Sequence, residues 1–259
     1  PMSVAIASDQ IFETFRSDDR QDRTFYDGHT YCGNPITSAA ALAAIEIFTS
    51  EDIVNKAKPA ALFLEQGFRN IAGLDEAGRG PLAGPVVVAA VILGPDWDIN
   101  HPLQDSKRIP GAERERLFPI IRKQAQACRI IAVSPKAIDE SNILRATLDG
   151  MTRALRELRT PADYALVDGN RFPTMGIPGA AVVKGDSLSC SIAAASILAK
   201  VARDRIMRVY GRRYPEWGFE QHFGYPTPKH REAIQRHGLS PIHRRTFRWK
   251  PRPKQLDLL

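Results

Sequence analysis

The sequence predicts an α/β protein, a sheet with helices on both faces. Short apolar runs stand at 71–74, 85–93, 129–133, 164–167 and 180–183, each bounded by Gly, Pro, Asp or Asn. Helical patterning covers 112–126, 137–159 and 187–210. The strand-like runs come first and the helices alternate with them later, the order expected of a layered α/β sheet.

Each element has its own reason. The run 71–74 leads into Asp75-Glu76-Ala77-Gly78-Arg79-Gly80, and 85–93 is a short apolar run opened by Pro85. Ala112–Gln126 is charged and helical, and 129–133 is a short β-branched run after it. The 137–159 pattern follows, then Ala165-Leu166-Val167 before Asp168. The helix expected over 187–210 opens after Asp186-Ser187, and its Ile192, Ala195, Ser196, Ala199 and Val201 suit close packing. From Tyr214 onward the chain is rich in Pro, Gly, His and Arg, predicting loops and short helices over one rim of the sheet.

Charge divides the chain. Through Phe68 there are ten acidic residues against five basic ones; since the whole carries +7, residues 69–259 carry +12. The basic excess suits a surface that meets a polyanion. The break near residue 68 predicts two unlike pieces: an extension over 1–68 and a core over 69–213. A substrate-binding region over 214–250 and a flexible tail over 251–259 complete the expected division. No apolar run approaches the roughly 20 residues that span a bilayer, and Pro1-Met2-Ser3-Val4 lacks the order of a signal peptide. Cys32, Cys128 and Cys190 lie far apart without metal-ligand spacing and read as buried thiols of a cytoplasmic protein.

The acids carry the chemistry. Asp75-Glu76, Asp168 and Asp186 each follow an apolar run, and strand ends are where open α/β sheets assemble sites. Any one of them could cap a helix or turn, Asp186 before Ser187 most of all. Four carboxylates in one cleft repel unless divalent cations compensate them. Two Mg²⁺ or Mn²⁺ ions, roughly 3.5–4 Å apart, would position a water for in-line attack on a phosphodiester. Glycines beside Arg79 let backbone and a forked cation approach a phosphate. Lys107 is a candidate phosphate contact and Lys184 a weaker one, a solvated lysine being the alternative for each. Arg244, Arg245, Arg248 and Lys250 are expected to track phosphates. His222, His230 and His243 read as polar scaffold or backbone binders.

Residues 70–248 closely resemble bacterial ribonuclease HII, the type 2 ribonuclease H. The resemblance rests on Gly73-Leu74-Asp75-Glu76-Ala77-Gly78-Arg79-Gly80-Pro81-Leu82-Ala83-Gly84-Pro85, Asp105-Ser106-Lys107, Val167-Asp168-Gly169 and Lys184-Gly185-Asp186. It continues through Ser191-Ile192-Ala193-Ala194-Ala195-Ser196, Gly224-Tyr225-Pro226-Thr227 and Pro241-Ile242-His243-Arg244-Arg245-Thr246-Phe247. It implies a ribonuclease H-like mixed sheet and cleavage of RNA paired to DNA, with incision 5′ of single ribonucleotides embedded in DNA. Asp75, Glu76, Asp168 and Asp186 match the metal-binding acids. Gly78, Arg79 and Gly80 match the loop that approaches the ribose 2′-hydroxyl, and Tyr225 the tyrosine that stacks on the following deoxyribose. Phe223 departs from the family, whose members often carry a small or basic residue there.

Two ends stand apart. Phe25-Tyr26-Asp27-Gly28-His29-Thr30-Tyr31-Cys32-Gly33-Asn34-Pro35, with its flanks over 1–58, resembles a fragment of a class III pyridoxal-phosphate aminotransferase. The Schiff-base lysine of that family would lie upstream, so neither pyridoxal phosphate nor transamination is expected. Gln255, Leu256, Leu258 and Leu259 lie in a tail that resembles the peptide docking on the bacterial β sliding clamp. The expected partners are therefore RNA–DNA hybrid, ribonucleotide-containing duplex and a clamp, bound by a monomer without a membrane. The rival readings are a nucleic-acid binder of the same fold that no longer cuts, and an aminotransferase-derived protein.

Overall fold

The computed structural model describes residues 67–94, 97, 103 and 109–249. Residues 1–66, Lys107 and the tail from Lys250 onward lie outside the described residues.

Among the described residues five strands form one sheet in the order β3-β2-β1-β4-β5. They are β1 (Ile71–Ala77), β2 (Val86–Ile92), β3 (Ala127–Val133), β4 (Tyr164–Asp168) and β5 (Gly179–Val182). β1, β2 and β3 run antiparallel as a meander, whereas β4 joins β1 in parallel and β5 joins β4 in parallel. The sheet is therefore mixed.

Helices cover both faces, and β2 shows how the sequence arranges this. Its side chains alternate: Val88, Ala90 and Ile92 face one way, into a core with Met151, Ala154 and Leu155. Val87, Ala89 and Val91 face the other way, against Leu117, Ile121, Ala194, Ile197 and Leu198. The first set belongs to helix α3 (Ile143–Arg156), the second to α1 (Gly111–Gln124) and α4 (Cys190–Arg213). A strand buried on both faces is continuously apolar, which is why 85–93 carries no polar residue in alternation.

The helical pattern over 137–159 is two helices, α2 (Pro135–Glu140) and α3. Asn142 separates them because its side chain accepts the Arg145 amide at 2.9 Å, capping α3. Ser134 and Pro135 start α2 by the same logic, the Ser134 hydroxyl accepting from the Ala137 amide. Helix α4 starts later than expected. Ser189 caps it and Asp186 sits in a separate 3-10 turn, Gly185–Ser187, so Asp186 is not the helix cap.

The region after α4 holds two short helices, α5 (Phe219–His222) and α6 (Pro228–His237), as the Pro, Gly and His content predicts. It is pinned to the β1–β2 loop by main-chain bonds from Leu82 to Gly224, Gly84 to Ile242 and Arg244 to Leu82, each 2.8 Å. Phe219, Ile242, Ala83 and Met207 bury a small apolar cluster beneath this seam. No helix among the described residues is long and apolar enough to cross a membrane. The thiols differ from the expectation of burial: Cys128 is half-buried and Cys190, opening α4, is exposed.

Candidate active site

Register places the acids. β1 pairs with β4 up to Leu74 opposite Val167, so the next residues, Asp75 and Asp168, stand side by side. The strand itself continues to Ala77 through its pairing with β2, which puts Asp75 and Glu76 within a strand rather than after one. Asp168 then accepts the Gly185 amide at 2.7 Å. With the pairing of Asp168 opposite Val182 and the Gly169 amide bonded to the Val182 carbonyl at 3.0 Å, this bond ties the Gly185–Ser187 turn, which carries Asp186, to the end of β4.

Asp75 is 5% exposed and Asp186 6%. Burial pushes the Asp75 carboxyl well above the usual carboxylate range, and the negative charges of Glu76 and Asp168 push it further. Hydrogen bonds from the Ser196 side chain and the Glu76 amide, the latter 2.6 Å, work in the opposite direction. Burial and like-charge repulsion both penalise the ionised form here, and a cation would relieve both. The donor set is all carboxylate oxygen, which suits a hard divalent ion. Among the described residues no three acid, histidine or cysteine groups stand close enough to enclose an ion unaided. Magnesium sites are commonly of this open kind, with one or two carboxylates and the remaining positions left to water and substrate phosphate.

Helix α4 aligns the site because its small residues let it lie against β1. At Gly73 a Cβ would fall on the Ser191 and Ile192 backbone, so only glycine allows the contact. Further along, Ser196 meets Asp75 and Arg203 lies under Gly78. Gly78 has φ +94°, where side chains are strained, and a Cβ there would fall on the Arg203 guanidinium. Arg79 projects outward and pairs with Glu76 at 3.3 Å. Tyr225 is 42% exposed and stands beside Gly80, whose Cβ position is 3.8 Å from the Tyr225 ring. The Gly78-Arg79-Gly80 loop and Tyr225 therefore form one rim next to the acids.

Arg244 departs from its expected role. It is 1% exposed, and its guanidinium donates to the carbonyls of Gly84 (3.0 Å), Arg79 (2.9 Å) and Gly78 (2.6 Å). A guanidinium so enclosed supports the loop from below instead of tracking phosphates at the surface. Lys107 and the clamp-like residues Gln255, Leu256, Leu258 and Leu259 lie outside the described residues.

The three histidines are scaffold. The His243 Nδ1 accepts the Ser240 amide at 2.8 Å, its Nε2 lies 3.0 Å from His230 Nε2, and His230 Nδ1 lies 2.8 Å from the Tyr225 carbonyl. Only one set of tautomers satisfies that chain: His243 donates to His230, and His230 donates to Tyr225. His222 stacks on His230 with centroids 4.3 Å apart and accepts the Gly224 amide at 3.2 Å. Burial lowers His230 and His243 to about 4, so both rings are neutral at physiological pH. Two supporting residues escape a reading of acids alone, Ser196 and Arg203. Each is a polar residue on the otherwise small and apolar face of one helix, which is a readable signal once that helix is placed.

A mixed sheet with carboxylates gathered at β1 and β4, beside a glycine-flanked arginine, defines a nuclease of the ribonuclease H-like fold. Residues 72–250 match the family Ribonuclease HII, and the chain belongs to that family. A ribonuclease HII of Syntrophotalea carbinolica is 51% identical over 209 residues, covering 79% of this chain and 97% of that protein. The crystal structure of ribonuclease H2 from Pyrococcus horikoshii is similar at TM-score 0.60 and 30% identity, covering 69% of this chain and 93% of that one. The structure of the PCNA:RNase HII complex from Archaeoglobus fulgidus is similar at TM-score 0.60 and 30% identity, covering 73% and 98%. The chain is accordingly an enzyme, a hydrolase of the nuclease class.

Proposed function

We propose that this enzyme hydrolyses the RNA strand of RNA–DNA hybrids and incises 5′ of ribonucleotides embedded in DNA, leaving 3′-hydroxyl and 5′-phosphate ends. The observation that carries the reading is the Asp168–Gly185 bond, which gathers Asp186 to the strand pair that already holds Asp75 and Asp168 side by side. Asp75, Glu76, Asp168 and Asp186 hold two divalent ions, Mg²⁺ or Mn²⁺, with substrate phosphate completing the shells. When bound, the ions lower the pKa of the attacking water and stabilise the leaving oxygen. The chain's own groups do the rest. Gly78 and Gly80 keep side chains out of the way so that backbone groups reach the 2′-hydroxyl, the group that tells RNA from DNA. Arg79 offers a forked cation to the adjacent phosphate, and exposed Tyr225 offers a flat face to the next sugar.

The catalytic unit is 69–213, with 214–250 as its substrate-binding region, in ribonucleotide removal and primer processing. The extension 1–68 takes no part and binds no pyridoxal phosphate. The tail carrying Gln255, Leu256, Leu258 and Leu259 docks on a sliding clamp, a reading supported by the Archaeoglobus relative's complex with PCNA. Incubating the full chain with a duplex carrying one ribonucleotide, in Mg²⁺, Mn²⁺ or EDTA, tests the activity. A nick with either ion and none with EDTA is expected; no metal-dependent nick overturns the proposal.

A further inference from the structure

Two arginines are buried where a charge is expensive to keep. Arg203 and Arg244 are each 1% exposed, and their hydrogen bonds end on main-chain carbonyls. Burial holds both guanidiniums below the usual arginine range, and Arg203 contributes to bringing Arg244 to about 9. Desolvating two like charges together is costly, and carbonyl bonds offset only part of that cost.

Their bonds divide differently. All three carbonyls held by Arg244 lie in the loop 78–84. Arg203 instead spans two segments. It donates to Pro85 at 3.0 Å and Ala83 at 3.2 Å on the loop side, and to the Phe223 carbonyl at 3.0 Å on the other. Phe223 has φ +50°, a left-handed conformation costly for a bulky residue, and it stands two residues before Tyr225. The Arg203 guanidinium also lies 5.9 Å from the Tyr225 ring centroid and directly beneath Gly78. It thus touches the floor of the ribose loop and the base of the tyrosine segment together, alongside the Leu82–Gly224 main-chain bond.

We infer that Arg203 is a positioning residue that fixes the spacing between the Gly78-Arg79-Gly80 loop and Tyr225, and so sets the preference for an RNA-to-DNA step over continuous RNA. The inference rests on the ribonucleotide-junction reading of this site. Continuous RNA needs the ribose loop in place, whereas a junction needs the loop and the tyrosine at a set distance. Lysine in place of arginine keeps the charge, but its single nitrogen cannot stand both where Nε holds Pro85 and where Nη2 holds Ala83 and Phe223.

The test compares kcat/KM of the full-length wild type, Arg203→Lys and Arg244→Lys on two substrates, a duplex with one embedded ribonucleotide and a uniform RNA–DNA hybrid. Arg203→Lys is expected to lose on both substrates, since small misplacements are costly, but at least about threefold more on the single ribonucleotide than on the hybrid. Arg244→Lys is expected to lower both together. An unchanged substrate ratio in Arg203→Lys overturns the inference, as does an equal change of ratio in Arg244→Lys. Melting followed by circular dichroism accompanies the rates, and an Arg203→Lys chain unfolded at 25 °C assigns the residue a purely structural role instead. Failure of the underlying reading is distinct: the wild type itself would then not nick the single ribonucleotide.

Discussion

Acid destabilisation through the histidine chain can be worked out from the structure. His230 and His243 are 0% and 3% exposed and meet ring to ring at 3.0 Å. In the neutral tautomers every ring nitrogen has a partner; a second proton on either ring would set two N–H groups against each other. Burial, the largest cause, brings both to about 4, against an ordinary histidine value of 6.5. The unfolded chain therefore binds protons more readily than the folded one below pH 6.5, so stability is full above 6.5 and lost as pH falls toward 4. Between pH 7 and 4.5 one such ring contributes a loss of about 2 kcal/mol, at roughly 1.4 kcal/mol for each tenfold change in proton activity over the titrating range. The assay is urea denaturation of wild type and His243→Asn at both pH values. Asparagine can still accept from Ser240 but does not titrate. The variant is less stable at pH 7, and its loss between pH 7 and 4.5 is smaller than the wild type's by about 2 kcal/mol. Parallel pH dependence in the two proteins would refute the argument.

Three further outcomes are expected. Asp75→Asn removes a buried charge repelled by Glu76 and Asp168; it should raise stability by about 1–2 kcal/mol in denaturation while cutting metal-dependent nicking by more than about 100-fold. Gly78→Ala forces a side chain onto Arg203 at φ +94°; a loss of about 1–3 kcal/mol in the same denaturation assay, together with weaker nicking, is expected. Asn142→Ala removes the α3 cap and should cost about 1 kcal/mol in thermal melting, leaving the nicking rate unchanged.

The elements that were legible in the chain are those whose signal is local. Five apolar runs became five strands because a doubly covered strand such as Val86–Ile92 must be apolar throughout. The division at Asn142 was equally local, a side chain capping its own helix, and it was hidden within one continuous amphipathic pattern. Asp75 and Glu76 were visible as acids at the end of an apolar run, but their place inside β1 was not. Pairing with β2 extends that strand to Ala77, and a partner 14 residues away, Ala89, writes no mark at position 75.

The side chains whose role changed are those decided by distant neighbours. Sequence showed Arg244 as one of several basic residues near the C-terminal end, fit for phosphate. Tertiary structure buried it under Gly78, Arg79 and Gly84, more than 150 positions away, because those carbonyls needed donors that the loop could not supply. The partners of Arg203 and of the histidine chain, whose scaffold role the sequence did predict, were likewise settled between distant segments. The α/β class, and the four acids and glycine-flanked arginine as candidates, were readable from residue type and short-range pattern. The bond from the Gly185 amide to Asp168, and the place of Tyr225 beside Gly80, came from the tertiary fold. Those facts depend on strand register and on satisfying buried polar groups, both settled between segments far apart in the chain.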